Sequence, residues 1–279
     1  MLHYVGYGYQ KRGCPLWLVR GLESWKRKNL THGLLVMFHE LYAFGAPWRS
    51  SFWNSPLQRW ITARLARLSD ICRSSNGLAA TQLARMAPAR SGQIEVLPVF
   101  SNFGEPACVE RLQSRPPRGV IYVAASKRTN RWRKRRTTLE RACRHLAIKE
   151  VVLFGAAGFE LDIAGIRVER QPALSAKDAS ALLSQSRIGI LDYPDYCLGK
   201  SGIFASYCAH GLVPVLLSSS HSGADEVQLG THYIRIPDID APVPLFLQQQ
   251  LANNALAWYK QHNLAATAHS VAAALQRLL

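Results

Sequence analysis

The residues best equipped for chemistry lie in one stretch, Arg187–Ser220, RIGILDYPDYCLGKSGIFASYCAHGLVPVLLSSS. It reads as a short apolar strand (Ile188–Leu191), a Pro/Gly loop (Asp192–Gly199), a helix (Lys200–His210), a Gly211 stop and a second strand (Val213–Leu217). In such a unit the helix starts just beyond the carboxyl end of the first strand. Parallel sheets bind ligands there, and a helix N-terminus favours anions. Lys200, Ser201 and Gly202 open the helix with a cation, a hydroxyl and unencumbered backbone N–H groups. This set suits a phosphate-bearing ligand, although a plain crossover with a lysine at its solvated end has the same local pattern. Asp192 and Asp195 flank Tyr193-Pro194 in the preceding loop. They could hold ribose or sugar hydroxyls, and the pattern leans to loop capping.

A second pair, His39-Glu40, ends the strand Leu34–Phe38. Position 43 is Ala rather than His, so this is not a helical zinc motif. A His and a Glu at a strand's carboxyl end can serve as acid and base or hydrogen-bond a sugar hydroxyl, or they can be satisfied structural groups. The following Leu41–Phe52 holds Gly45, Pro47, Trp48 and Phe52 and reads as an ordered loop over a cleft. The basic run Lys127–Arg136 (KRTNRWRKRR) follows a strand and can reach its carboxyl-end crevice. One or two of its cations, with Arg128 and Lys134 as candidates, would neutralise a diphosphate while the rest face solvent. Gly155-Ala-Ala-Gly158 ends the next strand, where backbone can approach a ligand closely. Gly6-Tyr-Gly8 begins like a dinucleotide fingerprint, but Lys11 occupies the third glycine position, and a tight strand-to-helix turn is the simpler reading. There is no G-x-S-x-G, no Walker A and no paired-cysteine site, so neither cofactor nor metal is expected.

Bulk properties narrow the class. The 279 residues fit two modest domains or one large one, and 48% hydrophobic content suffices for a packed core. No apolar run approaches the roughly 18–20 residues that span a bilayer. The start, MLHYVGYGY, lacks the features of a signal peptide, which predicts a cytosolic protein. Six cysteines without a C-x-x-C pair read as reduced, mostly buried thiols. A net charge of +16, from 34 Lys/Arg against 18 Asp/Glu, asks for an anionic partner: nucleic acid, anionic lipid or a phosphorylated small molecule. Trp132 alone in the basic run is too little aromatic interleaving for single-strand stacking, and no nucleic-acid-binding motif is present. Nucleic acid is therefore the least supported partner.

The elements that must position these residues come in two series. His3–Tyr7, Leu34–Phe38, Ile71–Ser74 and Ile94–Pro98 read as strands, with helical patterns at Pro15–Lys28 and Ser55–Leu68. Asn102–Arg118, with three prolines and little periodicity, has the look of a linker. Val120–Ala124, Val151–Phe154, Ile166–Glu169, Ile188–Leu191, Val213–Leu217 and Tyr233–Ile236 form the second strand series, with helices at Thr137–Leu146 and Ala176–Ser186 among others. Leu245–Leu279 is helical by pattern, with a break near Asn263. Such alternation predicts an α/β protein with parallel sheets flanked by helices.

On FHELYAFGAPWRSSFWNSPLQ (Phe38–Gln58), IEVLPVFSNFGEP (Ile94–Pro106) and DYPDYCLGKSGIFASYCAHGLVPVL (Asp192–Leu216), the chain resembles GT-B glycosyltransferases, nearest to the family 4-type, group 1 bacterial polysaccharide transferases. The resemblance implies two Rossmann-like domains: 1–104 on the acceptor side and short of its opening strands, a linker over 105–118, a nucleotide-sugar domain over 119–260 and a final helix over 261–279. It implies transfer of a sugar from a nucleoside diphosphate sugar to a glycan or lipid-linked acceptor in polysaccharide biosynthesis. His39 and Glu40 would sit near the reacting sugar, and Arg128, Lys134, Gly155, Asp192, Lys200, Ser201 and Gly202 around the nucleotide. The basic surface would rest on an anionic inner membrane face. Two departures stand out. The places of the family's two glutamates, eight positions apart, fall near Leu198 and Ser206, so neither carboxylate is present, and its first glycine-rich loop has no counterpart. A fragment, a divergent enzyme and a catalytically inactive GT-B-like binding module all fit this pattern.

Overall fold

Short β-branched and apolar runs form the centres of two parallel sheets, one in each of two units: Met1–Pro98 with Thr267–Leu279, and Val99–Ala266. The computed structural model describes the chain apart from residues 44, 125–131, 133, 156–160, 218–226 and 279.

In the first unit β1 (Leu2–Tyr4), β2 (Leu35–Phe38), β3 (Ile71–Ser74) and β4 (Ile94–Val96) lie side by side in chain order, all parallel. The single turn α1 (Gly6–Tyr9) and the helices α2 (Leu16–Lys28), α3 (Ser50–Leu68) and α4 (Gly77–Met86) fill the crossovers. An unreversed strand order with crossovers of one hand collects helices on one face. Val36, Phe38 and Cys72 point to that face and pack with Val19, Ile61 and Leu65. Alternate residues Leu35 and Ile71 point the other way, where Ala274 and Leu278 from the C-terminal helical segment cover them. Arg73 shares that second face and is fully buried. Its guanidinium donates to Glu95 Oε2 at 2.8 Å and to Ser270 O and Oγ at 2.9 Å each, tying the C-terminal helix to the sheet.

Helix α3 begins at Ser50, five residues before the expected Ser55, so part of the anticipated loop is helical and Pro56 lies inside the helix. Proline lacks the N–H that would bond the Phe52 carbonyl. Both residues are exposed, so water can take that bond. Trp53 Nε1 also donates to Pro47 O at 2.9 Å, fastening the first turn to the preceding loop.

The second unit holds β5 (Arg118–Val123), β6 (Glu150–Gly155), β7 (Arg167–Arg170), β8 (Ile188–Leu191), β9 (Val213–Leu216) and β10 (Ile234–Arg235). Its order is β10-β9-β8-β5-β6-β7, all parallel, so the chain winds outward from β5 one way and then returns to wind the other. Helices α5 (Arg136–His145), α6 (Ala176–Ser184), α7 (Gly202–Ala209) and α8 (Leu245–Lys260) belong to this unit, and α9 (Leu264–Gln276) follows. Residues such as Ile121, Val151, Ile190 and Val215 pack on one face with Leu139 and Cys143 of α5. Val120, Val152, Leu191 and Leu216 pack on the other with Leu183, Phe204 and Trp258. Helix α7 starts two residues later than expected; a 3-10 segment, Asp195–Lys200, precedes it. Among the described residues no helix is long and apolar enough to cross a membrane.

Two helix ends show opposite solutions to one problem. After α7, Gly211 at φ 66° lets its own N–H reach Cys208 O and the Leu212 N–H reach Tyr207 O. After α5 the same pair of bonds forms around Ala147, a non-glycine residue at φ 54°. Left-handed backbone costs an L-residue roughly 1 kcal/mol. Ala147→Gly is therefore expected to stabilise the protein by up to about 1 kcal/mol, read from the midpoint of urea unfolding.

His262, buried against Trp258 with ring centroids 4.2 Å apart, has its pKa pushed by burial from the ordinary 6.5 to about 4. The folded imidazole stays neutral where the unfolded one takes a proton. Its cost to stability is absent above 6.5, grows as pH falls from 6.5 and is complete below about 4. That cost reaches about 3 kcal/mol. Denaturant titrations across this range should show a flatter acid limb in His262→Gln than in the parent.

Candidate functional site

The winding of the second unit reverses between β5 and β8. These strands are neighbours in space, yet the chain leaves them in opposite directions, so their loops part at the carboxyl end and open a crevice. A cavity of ≈ 360 Å³ sits there. Tyr122 to Ala124 from the end of β5 line it, with Leu191 to Tyr193 from the end of β8, Lys200 to Ile203 from the start of α7, and Trp132. The volume is that of a small-ligand site.

One side chain holds the crevice open. The β5–β8 pairing ends at Ile121 and Ile190. One position further on, the Tyr207 hydroxyl accepts from Tyr122 N at 3.2 Å and donates to Ile190 O at 3.2 Å. Burial pushes the pKa of this hydroxyl up, so it keeps the proton it donates. The ring of Tyr207 covers Gly189, where a Cβ would overlap it.

Four expected site residues meet at this cavity: Asp192, Lys200, Ser201 and Gly202. Ser201 is the N-cap of α7, its Oγ accepting from Phe204 N at 3.2 Å. At Gly202 a Cβ would overlap Asn102 Oδ1, so a larger residue would have to displace that side chain. The carbonyl of Gly199 accepts from Val99 N at 2.8 Å, so the segment beneath the cavity is braced on both sides of Lys200.

The others lie elsewhere. Lys134 is exposed and does not line the cavity, and Arg128 lies outside the described residues. Gly155 ends β6, on the side of β5 away from the crevice. It has φ 112°, and a Cβ there would stand 2.5 Å from Val123 O, so glycine answers a backbone crowding between strands. The two positions where the resembled family carries glutamates are both structural. Leu198 is buried in the core, and Ser206 is buried with its hydroxyl donating to Gly202 O at 2.6 Å while accepting from Ser101 Oγ and Asn102 N at 3.0 Å each.

His39 and Glu40 belong to the first unit. His39 follows β2, half-buried, with its backbone N–H donating to Tyr4 O at 3.0 Å; Glu40 is exposed. The Nε2 of His39 lies 2.9 Å from Nδ1 of His3 and the rings stack 5.2 Å apart. Two imidazoles in this contact share one proton, one donating and the other accepting. Gln58 ties the adjoining loops together, accepting from Ala43 N at 2.7 Å and donating to Arg12 O at 2.8 Å. The sequence reading missed His3, Tyr122, Trp132 and Tyr207 as site residues. Of these only Trp132 carried a local signal, as the single apolar residue inside a basic run.

No protein-family model matches the sequence, nor does any curated protein. Solved structures are similar in fold. One is α,α-trehalose 6-phosphate synthase from Burkholderia multivorans, at TM-score 0.59 and 13% identity over 94% of this chain and 68% of that one. A second is a UDP-forming α,α-trehalose-phosphate synthase from Burkholderia vietnamiensis, at TM-score 0.58 and 12% identity over 94% and 70%. A third is a glycosyltransferase from Rickettsia africae, at TM-score 0.50 and 9% identity over 95% and 82%.

Tyr207→Phe removes the hydroxyl between the strands and leaves one part-buried N–H and one buried C=O without it. It should cost roughly 1–3 kcal/mol of stability. A shifted urea midpoint with an unchanged m-value is the expected record.

Proposed function

Because the chain has the GT-B fold, we propose that it is a glycosyltransferase, moving a sugar from a nucleoside diphosphate sugar to a glycan or lipid-linked acceptor in polysaccharide biosynthesis. The observation that carries this reading is the cavity at the strand reversal, where Lys200 stands beside the N-terminus of α7. Transfer leaves a diphosphate whose negative charge grows as the glycosidic bond breaks, and fixed donors and cations aimed at that charge lower the barrier. Lys200, the Ser201 hydroxyl and the backbone N–H of Gly202 supply them, with Arg128 as a further cation; the Ser201 N–H is already given to Leu198 O at 2.9 Å. Tyr122, Trp132 and Tyr193 offer rings against which a base can stack. Asp192 can accept from ribose or sugar hydroxyls. His39, sharing a proton with His3, serves at the reacting sugar as hydrogen-bond partner or acid/base group, beside Glu40. The net charge of +16 supports a position against the anionic inner face of a membrane, where lipid-linked acceptors lie.

A second reading has one observation in its favour. With Leu198 in the core and Ser206 occupied by the 101–102 segment, neither family carboxylate has a substitute at its own position. A GT-B-like module that binds a nucleotide, a glycan or a protein partner without turnover would have this pattern. Product formation from a donor sugar separates the two.

Calorimetric titration with UDP, GDP and pyrophosphate at low and moderate salt tests the donor site. Base-dependent affinity should survive the higher salt, and Lys200→Ala should weaken it roughly tenfold or more with the fold intact. Equal heats from every anion that vanish with salt, or an unchanged affinity in the variant, would remove the site.

A further inference from the structure

Five of the seven tryptophans fall within residues 17–60, and all five are exposed, whereas Trp132 and Trp258 are buried in the second unit. Four of the five are more than half exposed: Trp48 at 84%, Trp53 at 73%, Trp17 at 59% and Trp60 at 51%. Water-facing surfaces seldom leave so much large aromatic area uncovered, and a cluster of it marks an interaction site.

The exposed rings are arranged, not scattered. On α3, Trp53, Leu57 and Trp60 recur at spacings of four and three, and Arg64 and Arg67 continue the same exposed stripe. Helix α2 lies against α3 and is joined to it by the Arg64–Glu23 ion pair. It repeats the theme, with Trp17 near its start and Arg20, Arg27 and Lys28 exposed further along. Both helices follow parallel strands, so their aromatic ends lie at the same edge of the sheet, the carboxyl edge that also carries His39. The bond from Trp53 Nε1 to Pro47 O and an edge contact of Phe52 with Trp53 at 5.4 Å hold these rings in place.

Charge decides which partner fits. Residues 1–98 carry 13 Lys/Arg against 4 Asp/Glu. Three of those acids are already paired: Glu23 with Arg64, Asp70 with Lys26 and Glu95 with Arg73. The face is thus aromatic and cationic together. Tryptophan prefers the headgroup level of a bilayer, and exposed Lys and Arg are drawn to anionic lipid.

We propose that the outer faces of α2 and α3, with Trp48, form a docking surface for an anionic lipid bilayer, in which Trp53, Leu57 and Trp60 enter the headgroup layer. This names the surface for the membrane part of the proposed function and does not depend on sugar transfer.

Co-sedimentation with vesicles of phosphatidylcholine alone, or in equal parts with phosphatidylglycerol, tests it. The protein should bind the anionic vesicles and leave the neutral ones. Brominated phosphatidylglycerol should quench its tryptophan emission. The double variant Trp53→Ala/Trp60→Ala should bind roughly tenfold more weakly, with thermal unfolding and UDP titration unchanged. Absence of binding to anionic vesicles, full binding by the double variant, or no quenching by brominated lipid would overturn the proposal. So would light scattering that finds a dimer which the double variant turns into a monomer, since a second copy would then cover the face. A failed nucleotide titration beside intact, tryptophan-dependent vesicle binding would refute the donor site and leave this surface standing.

Discussion

The second unit turns on a single hydroxyl. Neighbouring parallel strands tend to stay laddered until a loop draws one away. Between β5 and β8 the ladder instead ends on Tyr207, whose oxygen stands between Tyr122 N and Ile190 O. The strands are held apart there without either backbone group losing a partner. Gly189 makes room for the ring, and the ring fixes α7 over the sheet. The start of α7 then has one place to be, and with it Ser201, Gly202 and the approach of Lys200 to the cavity. The reversal of winding creates the opening; the tyrosine takes the two backbone groups where the ladder ends.

Around that point the fold keeps its shape while the residues of the resembled chemistry change. Ser206 spends its hydroxyl on Gly202 O, Ser101 and Asn102, and the same segment is held by Tyr259, whose hydroxyl accepts from Ser101 N at 3.0 Å and donates to Glu105 at 2.5 Å. A small hydroxyl satisfies this crowded place, where a carboxylate would have to be buried or would displace the chain. Architecture and reaction are separable in this way in many folds. The fold fixes where the cavity lies, and the side chains lining it carry any claim about reaction.

What could be read from the sequence follows the range of the interactions involved. Ile188–Leu191 has the expected bounds because a short apolar run between Arg187 and Asp192 is a local signal, and Ile71–Ser74 has them although only Ile71 and Cys72 in it are apolar. Lys200 to Gly202 and Asp192 reach the cavity because a single strand–loop–helix unit delivers them. Tyr122 and Trp132 belong to β5 and the chain after it, and they face β8 only because of strand order, which no local pattern encodes. Gly155 looked like a place for a ligand and is a place for Val123 O. The helix expected from Ser55 begins at Ser50, because the exposed Pro56 leaves its missing bond to water instead of ending the helix. His3 pairs with His39 across two strands that are 36 residues apart in the chain.

The covering of the first unit has a consequence for how the molecule is made. Leu35, Ile71 and Arg73 present a face whose partners, Ser270, Ala274 and Leu278, are translated after the whole of the second unit. During synthesis the early sheet waits with one apolar side and a buried-to-be guanidinium open to water, while the later unit has all its own segments and can fold first. The chain that begins the structure is thus the last to be finished, and its exposure on the ribosome lasts for more than 160 residues of elongation, the span from Val99 to Ala266. Over that interval the open apolar face is exposed to the misassembly that chains folding unit by unit must avoid.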